Sequence, residues 1–217
     1  MSGAADTVDA VPAGHGKRER LVLAACDLLY RQGLQRTTLA DIADAAGVPL
    51  GNVYYYFKAK DDVVAAVVHT HVEQLGSGLA AVERRHRTPK ARLKALVDMV
   101  AAQGETITRY GCPYGTLSSE LTKRRDAASR ALAAQLMETL VGWVQAQFVA
   151  LGRRDARELA IELVVAYQGA AVVGSAIGEP HVIARRASHV KKWIDALDVG
   201  TDRAPQHGAH GQKGVRP

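Results

Sequence analysis

Three consecutive tyrosines, Tyr54, Tyr55 and Tyr56, are the most concentrated group of side chains in the sequence that could do chemistry. A phenolic hydroxyl donates a hydrogen bond, so it can bind a phosphate oxygen of a nucleic-acid backbone. Successive residues of a helix point about 100° apart, so at least one of the three hydroxyls must point outward. The simpler alternative is that Tyr54 and Phe57 pack on a small core while the other two tyrosines are merely exposed.

Basic residues flank this aromatic segment. Lys58 and Lys60 follow it, and Lys17 and Arg18 begin the first predicted helix. The chain carries 28 Lys and Arg against 22 Asp and Glu, a net charge of +6, and its isoelectric point is about 9.4. Residues 17–60 have the highest density of net positive charge. Because helix starts and lysines both attract phosphate, the flanks favour nucleic-acid binding over the simpler alternative.

The segments that must position these residues are helical. Residues 1–16 and 198–217 lack apolar periodicity and are predicted to be disordered tails. Between them the apolar residues recur at helical spacing, and no stretch alternates with the period of a strand. We therefore predict an all-α fold, with an N-terminal three-helix helix-turn-helix domain and a C-terminal helical bundle of about six helices. The nine predicted helices are residues 17–32, 38–46, 50–57, a long segment after 60, and residues 89–109, 115–121, 127–151, 155–177 and 182–197.

Local signals set the ends of the first helices. Gly33 stands where a left-handed residue ends a helix, and Thr38 with Asp41 has the form of a capping box. Three short helices with a turn at Gly47 have the dimensions of a helix-turn-helix unit, whose last helix enters a DNA major groove about 12 Å wide. Residues 17–62 are therefore predicted to bind DNA.

The motifs of this domain follow one another in a specific order: residues 20–33, Thr37-Thr38-Leu39-Ala40-Asp41-Ile42-Ala43, Ala46-Gly47-Val48, Gly51-Asn52-Val53-Tyr54-Tyr55-Tyr56-Phe57 and Lys60-Asp61. The order resembles the DNA-binding domain of the TetR/AcrR family of transcriptional regulators, and the resemblance covers about residues 17–64 without a gap. In that family the C-terminal domain is variable and binds effector molecules. The resemblance implies three partners: a double-stranded DNA operator, a small-molecule effector and a second copy of the chain.

The resemblance also implies roles for single residues. Thr38 matches the residue that caps the second helix and touches phosphate, and Lys60 matches a lysine that contacts the DNA backbone. Asn52 is the candidate for base recognition, because its amide can pair with adenine. The other matches form the leading turn and the aromatic segment of the recognition helix. The predicted DNA-binding set is Lys17, Thr38, Leu50, Gly51, Asn52, Tyr54, Tyr55, Tyr56 and Lys60.

Two positions depart from the family pattern. Pro49 stands where the family commonly has Ser or Thr as the cap of the recognition helix, and Tyr56 stands where His is common. Proline fits the first position of a helix, but it supplies no side-chain cap and no phosphate contact.

Residues 63–197 are predicted to bind the effector and to form the dimer. A ligand cavity in a helical bundle has apolar walls with a few convergent polar groups. Candidate positions cluster around the helix break at Pro113. Cys112 is either a reactive thiol or an inert apolar residue, and the second is favoured because the nearest cation is Arg109. The predicted effector-binding set is Gln103, Tyr110, Cys112, Leu117, Glu120, Tyr167 and Gln168, with core packing or surface polarity as the alternative for each.

The eighth predicted helix carries small residues that permit close approach of another helix. With the ninth helix it predicts a four-helix seam between two subunits, which the resemblance also implies, while packing within one subunit is the alternative. A dimer would place two recognition helices one DNA turn apart, roughly 34–36 Å, and the long fourth helix would transmit effector binding to them. The predicted seam is Ala166, Gly169, Ala170, Val173, Ile177, Val190 and Ile194.

These patterns support three hypotheses of function. The first is a ligand-responsive DNA-binding transcriptional regulator, a repressor that a small molecule releases from a palindromic operator. The second is a sequence-indifferent architectural DNA-binding protein without an effector. An enzyme is least favoured, because Glu120 and Glu162 are isolated and no catalytic motif occurs.

We also expect no metal, no cofactor and no membrane contact. His69 and His71 diverge on a helix, because residues two apart do not share a face. A cytoplasmic location is expected, since no run approaches the ~18 apolar residues of a membrane span and residues 1–16 lack the pattern of a signal peptide.

Overall fold

The computed structural model describes residues 16–197, and the predicted tails lie outside them except for Gly16. In this part of the chain every regular element is an α-helix, which confirms the all-α prediction. The bounds are α1 (Lys17–Gln32), α2 (Leu39–Ala46), α3 (Leu50–Tyr56), α4 (Lys60–Arg85), α5 (Pro89–Ala101), α6 (Gly104–Tyr110), α7 (Pro113–Lys123), α8 (Ala127–Ala150), α9 (Ala156–Ile177) and α10 (His181–Ala196).

Local chemistry sets the ends of α1 and α2 as predicted. Gly33 ends α1 with φ of 83°, and its N–H donates to the Leu29 carbonyl at 3.1 Å. Glycine suits this left-handed conformation because it has no Cβ. Before α2, the Thr38 hydroxyl accepts the Asp41 N–H at 3.1 Å, and the Asp41 carboxylate accepts the Thr38 N–H at 2.8 Å. The capping box is therefore confirmed.

The predicted fifth helix, residues 89–109, is wrong as a single element. The structure divides it into α5, which ends at Ala101, and α6, which begins at Gly104. Gly104 is buried and faces the Pro180 carbonyl oxygen, which would lie 3.8 Å from a Cβ at Gly104. Ile107 of α6 lies in a small core with Cys112, Ala171 and Ile183. Packing against distant residues, rather than a proline, therefore sets this break.

The first of two large cores joins the head, α1–α3, to the rest of the chain. It contains Leu21 and Val53 of the head together with Val64 of α4 and Leu121 of α7. All four side chains are at most 1% exposed. The first turns of α4 pack with the head, so the boundary predicted at residue 62 falls inside a helix whose start belongs to the first core.

The second core lies among the end of α4 and helices α5, α8, α9 and α10. Phe148 and Ile194 are fully buried in it, and the Phe148 ring packs edge to face on Trp193 with centroids 5.9 Å apart. Within the described residues, α9 alone is long and apolar enough to cross a membrane by length and composition. Its packing against α8 and α10 accounts for the apolar residues on one of its sides.

Ile194→Ala should lower the free energy of unfolding by about 2–5 kcal/mol, because truncation of a fully buried side chain leaves a cavity. Denaturant unfolding at a fixed protein concentration measures this change. Val149→Ala is the control, since Val149 is 58% exposed and a surface change costs less than about 0.5 kcal/mol. Equal losses in the two variants would contradict the assignment of Ile194 to the core.

Asp41→Asn should destabilise the protein in a pH-dependent way. The Thr38 N–H and hydroxyl, which hydrogen-bond the Asp41 carboxylate, hold its pKa below the ordinary value of 3.8. A carboxyl whose pKa is lowered on folding adds stability above the unfolded pKa and loses it as the pH falls through the folded pKa. The difference in melting temperature between wild type and variant should therefore be largest at neutral pH. This difference should become smaller below pH 3.8. A difference in melting temperature that does not change with pH would contradict the prediction. Asp44→Asn, at the other end of α2, is the control.

Candidate nucleic-acid interface and ligand cleft

Helix α3 presents two of its tyrosines on the exposed surface of the head. Val53 is fully buried and Phe57 is 3% exposed, so these two residues anchor α3 in the first core. Tyr54 and Tyr55 are 50% and 77% exposed. Tyr56 is half-buried against the first core and meets Tyr55 edge to face, with ring centroids 4.9 Å apart. The alternative that packs Tyr54 with Phe57 on the core is therefore wrong.

The start of α3 is exposed and has no side-chain cap. Pro49 is the N-cap, directly before the predicted helix start at Leu50, and its carbonyl accepts the Asn52 N–H at 2.8 Å. Leu50 and Gly51 are exposed, and Asn52 is half-buried. Among the described residues the side-chain amide of Asn52 has no hydrogen-bond partner. Both its donors and its acceptor are therefore available to a ligand outside the head.

The predicted basic and hydroxyl partners lie on three elements around α3. Thr38 is exposed at the start of α2, and Lys17 is exposed at the start of α1. The Arg18 guanidinium lies over the Phe57 ring, 5.3 Å from its centroid, which places the first turn of α1 beside the end of α3. Lys60 differs from the expectation, because its ammonium donates to the carbonyl of Leu34 inside the head.

The turn between α2 and α3 requires a glycine. Gly47 has φ of 60° and ψ of 40°, and its N–H donates to the Asp44 carbonyl at 3.1 Å. The next residue, Val48, is 4% exposed, and its N–H donates to the Ala43 carbonyl at 2.9 Å. A side chain at Gly47 would be strained in this left-handed conformation. The turn therefore fixes how α3 projects from the head.

A cleft with a volume of about 610 Å³ opens between the α6–α7 junction, α8 and α9. Four of the seven predicted effector-binding residues line it, namely Tyr110, Cys112, Glu120 and Gln168. The remaining lining residues, which define the cleft with those four, are Gly111, Gly115, Thr116, Ser118, Ser119, Lys123, Met137, Ala171, Val172, Ser175 and Ala176.

The structure places the other three predicted residues elsewhere. Tyr167 lines a neighbouring apolar cavity of about 40 Å³. Gln103 is exposed before α6, and its amide donates to the Met99 carbonyl at 3.2 Å. Leu117 is buried in the first core, on the side of α7 that faces away from the cleft. Gln103 and Leu117 therefore do not line this cleft, and their predicted role in effector binding stays a prediction.

Cys112 connects the floor of the cleft to α9. Its sulfur is buried and accepts hydrogen bonds from the Tyr167 hydroxyl at 2.9 Å and the Gln168 amide at 3.4 Å. The Gly115 N–H donates to the same sulfur at 3.4 Å. Burial raises the pKa of Tyr167 well above its ordinary range. A Cβ at Gly115 would clash with the Gln168 side-chain oxygen, so glycine permits this close contact between α7 and α9.

Five polar residues of the cleft lie outside the predicted set, namely Thr116, Ser118, Ser119, Lys123 and Ser175. Thr116 and Ser119 lie on one face of α7, and this spacing is a signal that the helical period provides. Met137 of α8 and Ser175 of α9 carry no such signal, because nothing in the sequence states which faces of these helices meet α7.

The predicted dimer residues fall into two groups. Val190, Ile194 and Ala170 are at most 8% exposed, which favours for them the alternative of packing within one subunit. Val173 and Ile177 are at least half exposed, Gly169 is exposed and Ala166 is half-buried. Along α9 the exposed apolar residues are Ile161, Val165, Val172, Val173 and Ile177.

Comparison with known proteins places the head in a described family. Residues 21–67 match the family model of bacterial regulatory proteins, tetR family. An uncharacterized HTH-type transcriptional regulator in the lacX 3' region of Lactococcus lactis subsp. lactis is 32% identical over 107 residues, or 48% of this chain and 55% of that protein. The HTH-type transcriptional repressor KstR2 of Rhodococcus jostii is 33% identical over 82 residues, or 38% of this chain and 40% of that protein. The chain thus spans about half the length of these curated relatives.

Solved structures extend the likeness to the whole fold. A TetR transcriptional regulator from Legionella pneumophila has a TM-score of 0.74 at 18% identity, covering 85% of this chain and 98% of that one. The regulatory protein TetR from Rhodobacter sphaeroides has a TM-score of 0.71 at 21% identity, covering 81% and 97%. At such identities the likeness concerns the fold, an N-terminal helix-turn-helix followed by a helical domain. Residues 21–67 thus match the tetR family of bacterial regulatory proteins, and the described residues share the fold of solved TetR regulators.

Proposed function

We propose that the chain is a homodimeric, ligand-responsive DNA-binding transcriptional regulator. It acts as a repressor that a small molecule, bound in the cleft, releases from a palindromic operator. The proposal rests on the two-sided burial of α3. Val53 and Phe57 anchor the helix in the first core, and its opposite side exposes Leu50, Tyr54 and Tyr55. Repression is the direction given by the name of the Rhodococcus relative, and the bacterial relatives favour a cytoplasmic location.

The exposed residues of the head divide by chemistry into base and phosphate partners. Asn52 binds a base edge, because an amide can pair with adenine through two hydrogen bonds. The hydroxyls of Tyr54, Tyr55 and Thr38 donate hydrogen bonds to phosphate oxygens, and Lys17 adds positive charge beside them. Contacts to phosphates fix the position of α3, and contacts to bases select the sequence.

Two further matched positions serve the head in a different way. Tyr56 is half-buried, and the Lys60 ammonium is bound to Leu34. We assign both to the support of the DNA-binding surface. Leu50 and Gly51 lie at the exposed start of α3, where a residue without a side chain permits close approach to the groove.

The dimer is inferred from an exposed apolar stripe on α9. Val165 and Val172 are 62% and 67% exposed, and Ile161 continues the same side of the helix at a helical spacing. A contiguous apolar surface on a soluble protein marks an interaction site. A second copy fits the stripe, because a twofold axis pairs each stripe with its own counterpart.

The cleft has the mixed chemistry of a small-molecule site. Thr116, Ser119 and Ser175 contribute hydroxyl groups, while Met137 and Val172 contribute apolar surface. Few polar groups within apolar walls orient an organic ligand and bury most of its surface. The repressor is therefore expected to respond to an organic molecule that carries hydrogen-bonding groups.

Selection of bound sequences from a random DNA library at physiological salt should yield a palindrome. Asn52→Ala should then weaken binding by about 1–3 kcal/mol per half-site and relax the preference at one position in each half-site. The control is Gln135→Ala, which removes an exposed amide from α8. A selected pool without a motif, or an equal loss of affinity for every DNA sequence, would support the sequence-indifferent architectural protein instead.

Val165→Glu should convert a dimer into a monomer, because the seam would bury two carboxylates without partners. Sedimentation or light scattering at micromolar concentration measures the mass directly. Val149→Glu is the matched control, since Val149 is also exposed but lies on α8. A Val165→Glu variant that retains the dimeric mass would exclude α9 as the seam.

A further inference from the structure

A carboxylate from α7 holds the turn between α1 and α2. The Leu34 N–H donates to Oε2 of Glu120 at 2.5 Å, across 86 residues of sequence. The other oxygen, Oε1, lies against Gly33, where a Cβ would come within 2.7 Å of it. Gly33 also has φ of 83°, which disfavours any other residue. The turn therefore leaves room for this carboxylate and binds it.

The same turn connects directly to the DNA-binding surface. The Leu34 carbonyl accepts a hydrogen bond from the Lys60 ammonium, and the Leu34 side chain is 2% exposed in the first core. The hydroxyl of Thr37 donates to the Gly33 carbonyl at 2.8 Å. The next residue, Thr38, caps α2. The turn that contains Leu34 thus leads directly into the capped start of α2.

A second hydrogen bond ties the end of α1 to the cleft. The Tyr30 hydroxyl donates to the Gly111 carbonyl at 2.8 Å. Gly111 and Glu120 are both lining residues of the cleft. The last turn of α1 and the turn that follows it are therefore attached to two walls of the same cleft, by Tyr30 and by Leu34.

Glu120 retains the capacity to bind a molecule in the cleft. Among the described residues no cation pairs with its carboxylate. A carboxylate has about four lone-pair positions, and the Leu34 N–H occupies one of those of Glu120. Lys123, the other charged residue of the cleft, is exposed, whereas Glu120 is half-buried. A hydrogen-bond donor on a bound molecule can therefore compete with Leu34 for this carboxylate.

We propose that Glu120 is a positioning residue that couples occupation of the cleft to the placement of α2 and α3. This inference rests on the proposed function and adds a route through α7 to the route expected along α4. A molecule that binds or displaces the Glu120 carboxylate releases Leu34, and the distance between the two α3 helices of a dimer is then no longer fixed. Coupling arises because the molecule binds more tightly to the state in which the Leu34–Glu120 hydrogen bond is broken than to the state in which it is formed.

Binding to two DNA duplexes tests this role. One duplex carries the palindrome that the wild-type chain selects, and the other carries the same half-sites with two additional base pairs between them. Glu120→Ala should bind the first duplex about tenfold more weakly, and its ratio of affinities for the two duplexes should move toward one. Glu120→Gln should stay within about threefold of wild type, because its amide oxygen can still accept the Leu34 N–H. Glu105→Ala, an exposed glutamate on α6, is the matched control.

A side chain introduced into the cleft tests the same coupling without an identified ligand. Ser119→Trp adds a large ring beside Glu120 and should weaken binding to the palindrome. In the Glu120→Ala background the same change should have little further effect, because the attachment that it disturbs is already absent. Additive losses would show that the two positions act independently, which would overturn the proposal.

The outcomes separate this inference from the proposed function. If the wild-type chain selects no palindrome, the proposed function fails and the coupling fails with it. If wild type distinguishes the two spacings and folded, dimeric Glu120→Ala does so equally well, only the coupling is overturned. An equal loss of affinity for both duplexes, which leaves the ratio of the two affinities unchanged, would also overturn the coupling. Such a result would indicate a purely structural role for Glu120.

Discussion

A head of three short helices can bury too little apolar surface to be stable alone, so other helices must complete its core. Leu117 and Leu121 of α7 and Leu136 of α8 do this, since they belong to the same buried cluster as the residues of α1–α3. The opposite face of α7 carries Thr116 and Ser119 into the cleft. One helix therefore completes the core of the head and forms a wall of the cleft, and the two cannot change independently.

The features of the fold that the sequence predicts are those decided by neighbours along the chain. Gly33 and the Thr38–Asp41 capping box are local devices, and each lies where its pattern indicates. The division between α5 and α6 has no local device of comparable strength. Gly104 is tolerated within a helix at a cost of about 1 kcal/mol, so it predicts no break by itself. The contacts of Gly104 and Ile107 with distant residues decide the matter.

The candidate site could be predicted only in part, for a related reason. Cys112 and Glu120 were chosen because they lie near the break at Pro113, and both line the cleft. Leu117 was chosen on the same ground but faces the first core. A helical period separates such positions only when the buried side of the helix is known. Ile194 shows the same limit, because an apolar stripe on α10 has one pattern whether it packs inside a subunit or between two.

Helix α4 passes from the first core to the second over 26 residues. At 1.5 Å per residue its axis is about 39 Å long. A rod of this length, tilted by about 5° around one end, moves its other end by about 3.4 Å, which equals the rise of one base pair. Val64 and Leu79, near the two ends, are each buried in a different core. A change of a few degrees in their relative packing, with every helix intact, is therefore enough to shift α3 by a full step along the DNA.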